Sequence, residues 1–159
     1  MGSVPSGIQR ELKQTRKFST RAEEASVALL RTADRIRWDL ERALGRSGVT
    51  VQQYNVLRIL RGSEPEPLAT LEIADRMIER APGITRLLDR LDAAGLVTRT
   101  RSREDRRRVL CRITAKGLAV LEETDGPVLH AERRRAGRLS DADLKRLLVL
   151  LERLRKEEA

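Results

Sequence analysis

Pro82-Gly-Ile-Thr-Arg-Leu-Leu-Asp-Arg-Leu-Asp-Ala-Ala-Gly-Leu-Val97 is the stretch on which the reading of this chain turns. Ile84, Leu87, Leu88 and Leu91 recur at intervals of three and four, which predicts a helix with one apolar stripe, and Gly95 stops it. Proline is tolerated in a first helical turn, so Pro82 marks the start. With the stripe turned inward, the outer face holds Pro82, Gly83, Thr85, Arg86, Asp89 and Arg90. Upstream, Thr70 can cap a shorter helix from Leu71 to about Met77, in which Leu71, Ile73, Ala74 and Met77 supply the buried side. The break around Arg80 separates the two, giving a helix-turn-helix pattern. Downstream, Leu96 and Val97 open an extended stretch to Arg101, and Val109 to Ile113 reads as a second strand across a charged hairpin.

Outward from this centre the pattern is helical. Ala25, Leu29, Ala33, Ile36, Leu40 and Leu44 keep helical spacing from about Arg21 to Leu44, and Gly45 and Gly48 end that helix. Thr50 can cap the next, which carries Tyr54, Val56, Leu57 and Leu60 and stops at Gly62, Pro65 and Pro67. After Thr114 and Lys116-Gly117 a helix runs from about Ala115 to Arg135, with a bend expected where Gly126 and Pro127 interrupt it. Ser140 and Asp143 form a capping pattern before a last helix lined by Leu144, Leu147, Leu148, Leu151 and Leu154. The fold class expected is mainly α with a small β-wing, in the order α-α-α-α-β-β-α-α. Residues 1–20, polar, basic and rich in Gly, Pro and Ser at their start, are expected to be a flexible N-terminal segment.

Composition narrows the function classes. In 159 residues, 40% of them apolar, the chain can bury one core, and a formal net charge of +9 argues for a polyanionic partner. That partner is nucleic acid or an anionic membrane surface. No run of about 18 apolar residues is present to span a bilayer, and the first residues lack a secretory pattern, so the chain is expected in the cytoplasm. Met1, Gly2 and Ser6 fit a myristoylation pattern too short to carry weight. With one cysteine, Cys111, and one histidine, His130, neither an intrachain disulfide nor a clustered zinc site can form, and no metal or other cofactor is expected. Phe18, Trp38 and Tyr54 are too few aromatics for stacking unpaired bases, so a nucleic-acid partner should be duplex. No nucleophile with its base, acid–base pair or phosphate loop is visible, and no enzymatic activity is expected.

A helix that enters the major groove must present short or basic side chains, because the groove is only about 12 Å wide. Thr85 and Arg86 suit base or phosphate contact, and Arg90, one turn on, suits the backbone. On their own Arg86 and Arg90 read equally well as a solvated face. The hairpin adds weight, because Arg99-Thr-Arg-Ser-Arg-Glu-Asp-Arg-Arg-Arg-Val-Leu-Cys-Arg112 packs arginines whose mutual repulsion phosphates would relieve. The alternative is a surface balanced in part by Glu104 and Asp105.

The blocks Leu71-Glu-Ile-Ala-Asp-Arg76, Gly83-Ile-Thr-Arg-Leu-Leu-Asp-Arg-Leu-Asp-Ala-Ala-Gly-Leu-Val97 and Asp105-Arg-Arg-Arg-Val-Leu-Cys-Arg-Ile-Thr-Ala-Lys-Gly117 resemble the MarR family of bacterial regulators. The resemblance implies a winged helix-turn-helix over 49–114, dimerisation helices over 21–48 and 115–159, and recognition by the helix that starts at Pro82. It places Arg107 of the wing in a minor groove with Asp105 orienting it, and Arg103 and Arg106 on the DNA backbone. Ala81 departs from the polar residue that relatives often carry at the helix start. The family's peroxide sensors carry their cysteine near the N-terminus, so Cys111 reads as a small apolar filler. Trp38 and Tyr54 fall near the family's small-molecule pocket and are candidate ligand contacts, with core packing as the plainer alternative. The implied function is a homodimeric repressor on a pseudo-palindromic operator in double-stranded DNA, released by a small-molecule effector. A competing reading keeps the winged helix but uses its charge for protein or anionic membrane contact.

Overall fold

The computed structural model of the chain describes residues 6–79 and 83–156. Its contacts divide the chain into two compact units, Met1–Arg42 and Ala43–Ala159. Helix α1, Gly7–Glu11, lies inside the segment expected to be flexible. Ser6 caps it by accepting a hydrogen bond from Gln9 N–H at 3.3 Å. So short a helix is marginal alone, and packing supplies the rest. The Glu11 carboxylate accepts from Arg31 Nε at 3.1 Å and from Arg35 Nη2 at 2.7 Å, both on α2, Arg21–Leu44. Those two guanidiniums, Arg35 first, hold the Glu11 carboxyl below the usual range. At the start of α2, Thr20 Oγ1 accepts from Glu23 N–H and the Glu23 carboxylate accepts from Ser19 N–H, a reciprocal cap.

The second unit begins with the end of α2, where Leu44 is buried, and continues through α3, Val51–Arg61. Thr50 caps α3 as expected, paired with the Gln53 side chain in a capping box. Then come β1, Leu68–Ala69, α4, Thr70–Arg76, and α5, Ile84–Ala93. β2, Val97–Arg101, β3, Val109–Ile113, α6, Ala115–Ala136, and α7, Asp141–Arg155, complete it. The strands form one antiparallel sheet in the order β1-β3-β2, with Leu68 opposite Cys111 and Arg99 opposite Cys111 on the other side. β1 was not expected, because two residues carry no alternation to read. The core includes Val56, Leu57 and Leu60 of α3, Ile73 of α4, Leu87, Leu88 and Leu91 of α5, Val97, Cys111, Ile113 and Leu121, all buried. Each fully buried leucine contributes about 1.5–3 kcal/mol, so this cluster rather than any single polar contact holds the helices together.

One local expectation is corrected. Thr70 is the first residue of α4 and not its cap; the Glu72 carboxylate accepts from Ala69 N–H at 2.7 Å, and Thr70 Oγ1 donates to the Val109 carbonyl of β3 at 3.4 Å. The hydroxyl is drawn to the neighbouring strand, which no local pattern could reveal. The helix expected from about Ala115 to Arg135 runs as α6 from Ala115 to Ala136, with Pro127 inside it. Among the leucines expected to line α7, none is buried, and Leu147, Leu148 and Leu154 are exposed.

Candidate nucleic-acid interface

α5 presents the face the sequence pointed to. Leu87, Leu88 and Leu91 are buried, whereas Gly83, Thr85, Arg86, Asp89 and Arg90 are exposed. Gly83 precedes the helix, and its carbonyl accepts from Leu87 N–H at 3.0 Å. Pro82 and Ala81 lie outside the described residues. Asn55 on α3 accepts through Oδ1 from Ile78 N–H at 3.0 Å, which fixes the chain as it leaves α4. The far end of α5 is held as firmly. Gly95 adopts φ +69°, a left-handed conformation that ends a helix at little cost only for glycine. Lys116 Nζ donates to the Ala94 carbonyl and Thr114 Oγ1 to the Gly95 carbonyl, both at 2.8 Å, so a cation sits on the negative end of the helix.

The wing is closed by its own backbone and side chains. Ser102 N–H donates to the Arg108 carbonyl at 3.0 Å, and Ser102 Oγ accepts from Glu104 and Asp105 N–H at 3.2 and 3.3 Å. Asp105 Oδ1 accepts from Arg107 N–H at 2.9 Å, and the Asp105 carbonyl accepts from Arg108 N–H at the same distance. Asp105 therefore holds the backbone of Arg107, not its guanidinium, and leaves the guanidinium exposed.

The arginines of the wing divide into two sets. Arg99 pairs with Asp89 on α5, Arg108 Nη2 lies 3.3 Å from Glu72 Oε1 on α4, and Arg112 donates to the Pro65 carbonyl. Arg103, Arg106 and Arg107 are exposed at the tip with no carboxylate partner among the described residues, and Arg101 is exposed at the end of β2. The first set fastens the wing to the helices; the second offers cations to solvent. Glu72 and Asp89 thus relieve part of the repulsion expected from the sequence. These pairings join residues 10 to 47 positions apart, and no sequence signal would have found them.

Cys111 is fully buried between Arg99 and Leu68. Burial pushes its thiol above the usual value, with the nearby Arg99 opposing in part. His130 is exposed on α6. No group of three or more metal-ligating side chains occurs among the described residues, and no helix there is long and apolar enough to cross a membrane. Of the two candidate ligand contacts, Trp38 is 56% exposed with the Arg42 guanidinium 4.7 Å from its ring centre. Tyr54 is buried in α3, and that burial raises its hydroxyl pKa.

The MarR family model matches residues 47–108, from just before α3 to the wing. A MarR transcription factor of Planctomyces limnophilus is 43% identical with a TM-score of 0.65, covering 86% of this chain and 98% of that one. NadR, solved in complex with 4-hydroxyphenylacetate, is 26% identical with a TM-score of 0.71, over 90% of this chain and 100% of NadR. The HTH-type transcriptional regulator FarR of Neisseria gonorrhoeae is 29% identical over 106 residues, which is 65% of this chain and 71% of FarR.

Proposed function

The chain belongs to the MarR family of DNA-binding transcriptional regulators, and from that membership we propose that it acts as a homodimeric repressor, released from its operator by a small-molecule effector. The observation that carries the reading is the pairing of two exposed basic surfaces on one fixed frame, the outer face of α5 and the tip of the wing. α5 is ten residues and so about 15 Å long, a length that lies comfortably in a major groove. Gly83, Thr85 and Arg86, together with Pro82 from the sequence pattern, are proposed as DNA contacts, Thr85 and Arg86 to base edges or phosphates and Arg90 to the backbone. Arg107 is assigned to the adjacent minor groove, whose negative potential favours a guanidinium, and Arg103 and Arg106 to the flanking phosphates. Asp105 would keep the Arg107 backbone turned toward the groove.

Homodimerisation is supported by α7, a helix of 15 residues with none buried and with Leu147, Leu148, Leu150 and Leu154 exposed. A stripe of that kind is costly in water and is relieved by a partner surface of the same kind. Residues 21–48 and 115–159 are assigned to the dimer arms and 49–114 to DNA. Two-fold symmetry then matches a pseudo-palindromic operator with half-sites about one helical turn apart. Trp38 and Tyr54 are each proposed as a candidate effector contact, and a coupling of about 1–3 kcal/mol between effector and DNA binding is sufficient for release. The cytoplasm, where the DNA lies, is the assigned compartment, and no catalytic role is assigned to any residue.

Sedimentation with a duplex from the gene's own upstream region tests the assembly. Two chains per operator are expected, and Leu148→Asp with Leu154→Asp should yield a monomer with strongly weakened binding. A natural chain that stays monomeric and binds as one copy contradicts the reading.

A further inference from the structure

Thr124 to Pro127 form a weak point in α6. Thr124 is buried and its hydroxyl donates back to the Val120 carbonyl at 2.8 Å, an arrangement that bends helices. Gly126 brings the largest backbone freedom of any residue, and an added Cβ there would meet nothing within 4 Å. Pro127 has no N–H, so the Glu123 carbonyl has no partner one turn on. Burial changes at the same place. Gly117, Leu121, Thr124 and Val128 are buried, and no residue of α6 beyond Val128 is. The first half of the helix therefore belongs to the winged core, while the second leaves it.

Between these residues stands Asp125, fastened to α3. Arg61 Nη1 donates to Asp125 Oδ2 at 2.7 Å and Nη2 to Oδ1 at 3.4 Å. Contacts from one guanidinium to both oxygens of a carboxylate constrain orientation as well as distance, which a single contact would not. Asp125 in turn holds the Arg61 guanidinium more basic than usual. The pair joins α3 of the DNA-binding part to α6 at the point where α6 is least able to hold its own direction.

We infer that Arg61 and Asp125 are positioning residues that set the angle of a hinge at Thr124–Pro127, and that this angle determines the half-site separation the regulator prefers. The inference rests on the homodimeric DNA-binding reading above. A rotation of about 13° over an arm of about 15 Å, half the diameter of a small domain, moves its end by about 3.4 Å, one base-pair rise. A small change of hinge angle is thus enough to shift the preferred operator by one base pair. Release of the pair leaves the contacts at α5 and the wing untouched but lets their separation vary.

The test uses the full chain and duplexes carrying two copies of a half-site selected from the upstream region, with centres about 9, 10 and 11 base pairs apart. The natural chain should favour one separation, and Asp125→Asn should lower that preference about threefold to tenfold while binding to a single half-site stays within about twofold. The charge-reversed double variant Arg61→Asp with Asp125→Arg should restore the preference, which a merely destabilising change would not do. Gly126→Ala, which stiffens the hinge without a clash, should sharpen it. An unchanged preference in Asp125→Asn, or no effect of Gly126→Ala, overturns the inference while leaving the homodimeric reading in place. A natural chain that prefers no two-half-site duplex to random DNA overturns both.

Discussion

Arg99 on β2 and Asp89 on α5 form an ion pair that ties the wing to α5. The Arg99 side chain is 18% exposed, and its Nε is buried with no hydrogen-bond partner, so Asp89 is the group that compensates its charge. Asp89 therefore serves the frame, although it stands on the face of α5 proposed to meet DNA.

Truncation of Asp89 leaves a largely buried cation without its counter-ion, a loss that exceeds that of a surface pair. Asp89→Ala is expected to destabilise the fold by about 1–2 kcal/mol, and the double variant with Arg99→Met by less than the sum of the two single changes. Urea unfolding of the four proteins checks this. Additive losses would mean that the pair carries no coupling.

Glycine matters at one place in α6 and not at another. A Cβ on Gly117 would lie 2.3 Å from the Leu96 carbonyl oxygen and 2.7 Å from Ile113 Cγ1, in a part of the core where backbone must move to admit it. Gly117→Ala should cost about 1–3 kcal/mol or more. Gly126→Ala meets open space and should be neutral or stabilising by about 0.5–1 kcal/mol. Thermal melts of both variants provide the comparison.

The division of the wing arginines has a direct ionic signature. Each phosphate contact contributes about 0.9 to the slope of log affinity against log salt. Arg103→Ala and Arg106→Ala should each lower that slope by about one. Arg108→Ala, whose side chain is engaged by Glu72, should leave the slope nearly unchanged. Equal slopes for all three would show that the ion pair does not separate the two sets.

Cys111 sets a pH limit. Its folded pKa lies above the ordinary value because burial disfavours the thiolate, so the unfolded chain loses its proton first as pH rises. Stability that involves this residue is complete at neutral pH and falls as pH rises through about 8.5 toward the folded value. Cys111→Ala should show a shallower alkaline decline, and alkylation of the native chain near pH 7.5 should be about a hundredfold slower than in denaturant. Rapid native alkylation would contradict the buried, protonated thiol.

Helices α2, α3, α5 and α7 and the two wing strands were legible because their apolar spacing, caps and glycine stops are local properties. The outer face of α5, with Thr85, Arg86 and Arg90, followed from that spacing alone. What escaped was non-local. β1 exists only because Leu68 and Ala69 pair with β3, and Thr70 leaves its cap position because the Val109 carbonyl lies beside it. Helix α1 depends on Glu11 meeting two arginines of α2. The same limit hid the partners of Arg99, Arg108 and Arg112, since a run of arginines in sequence looks uniform until the fold assigns each its neighbours.

The most direct measurement is the salt dependence of binding to duplex from the gene's upstream region, for the natural chain, Arg86→Ala and Arg107→Ala. Binding about a thousandfold tighter than to random duplex, with a steep slope and losses of about 1–3 kcal/mol in each variant, is the predicted result. Weak binding that ignores sequence and either substitution would contradict the assignment of α5 and the wing to DNA recognition.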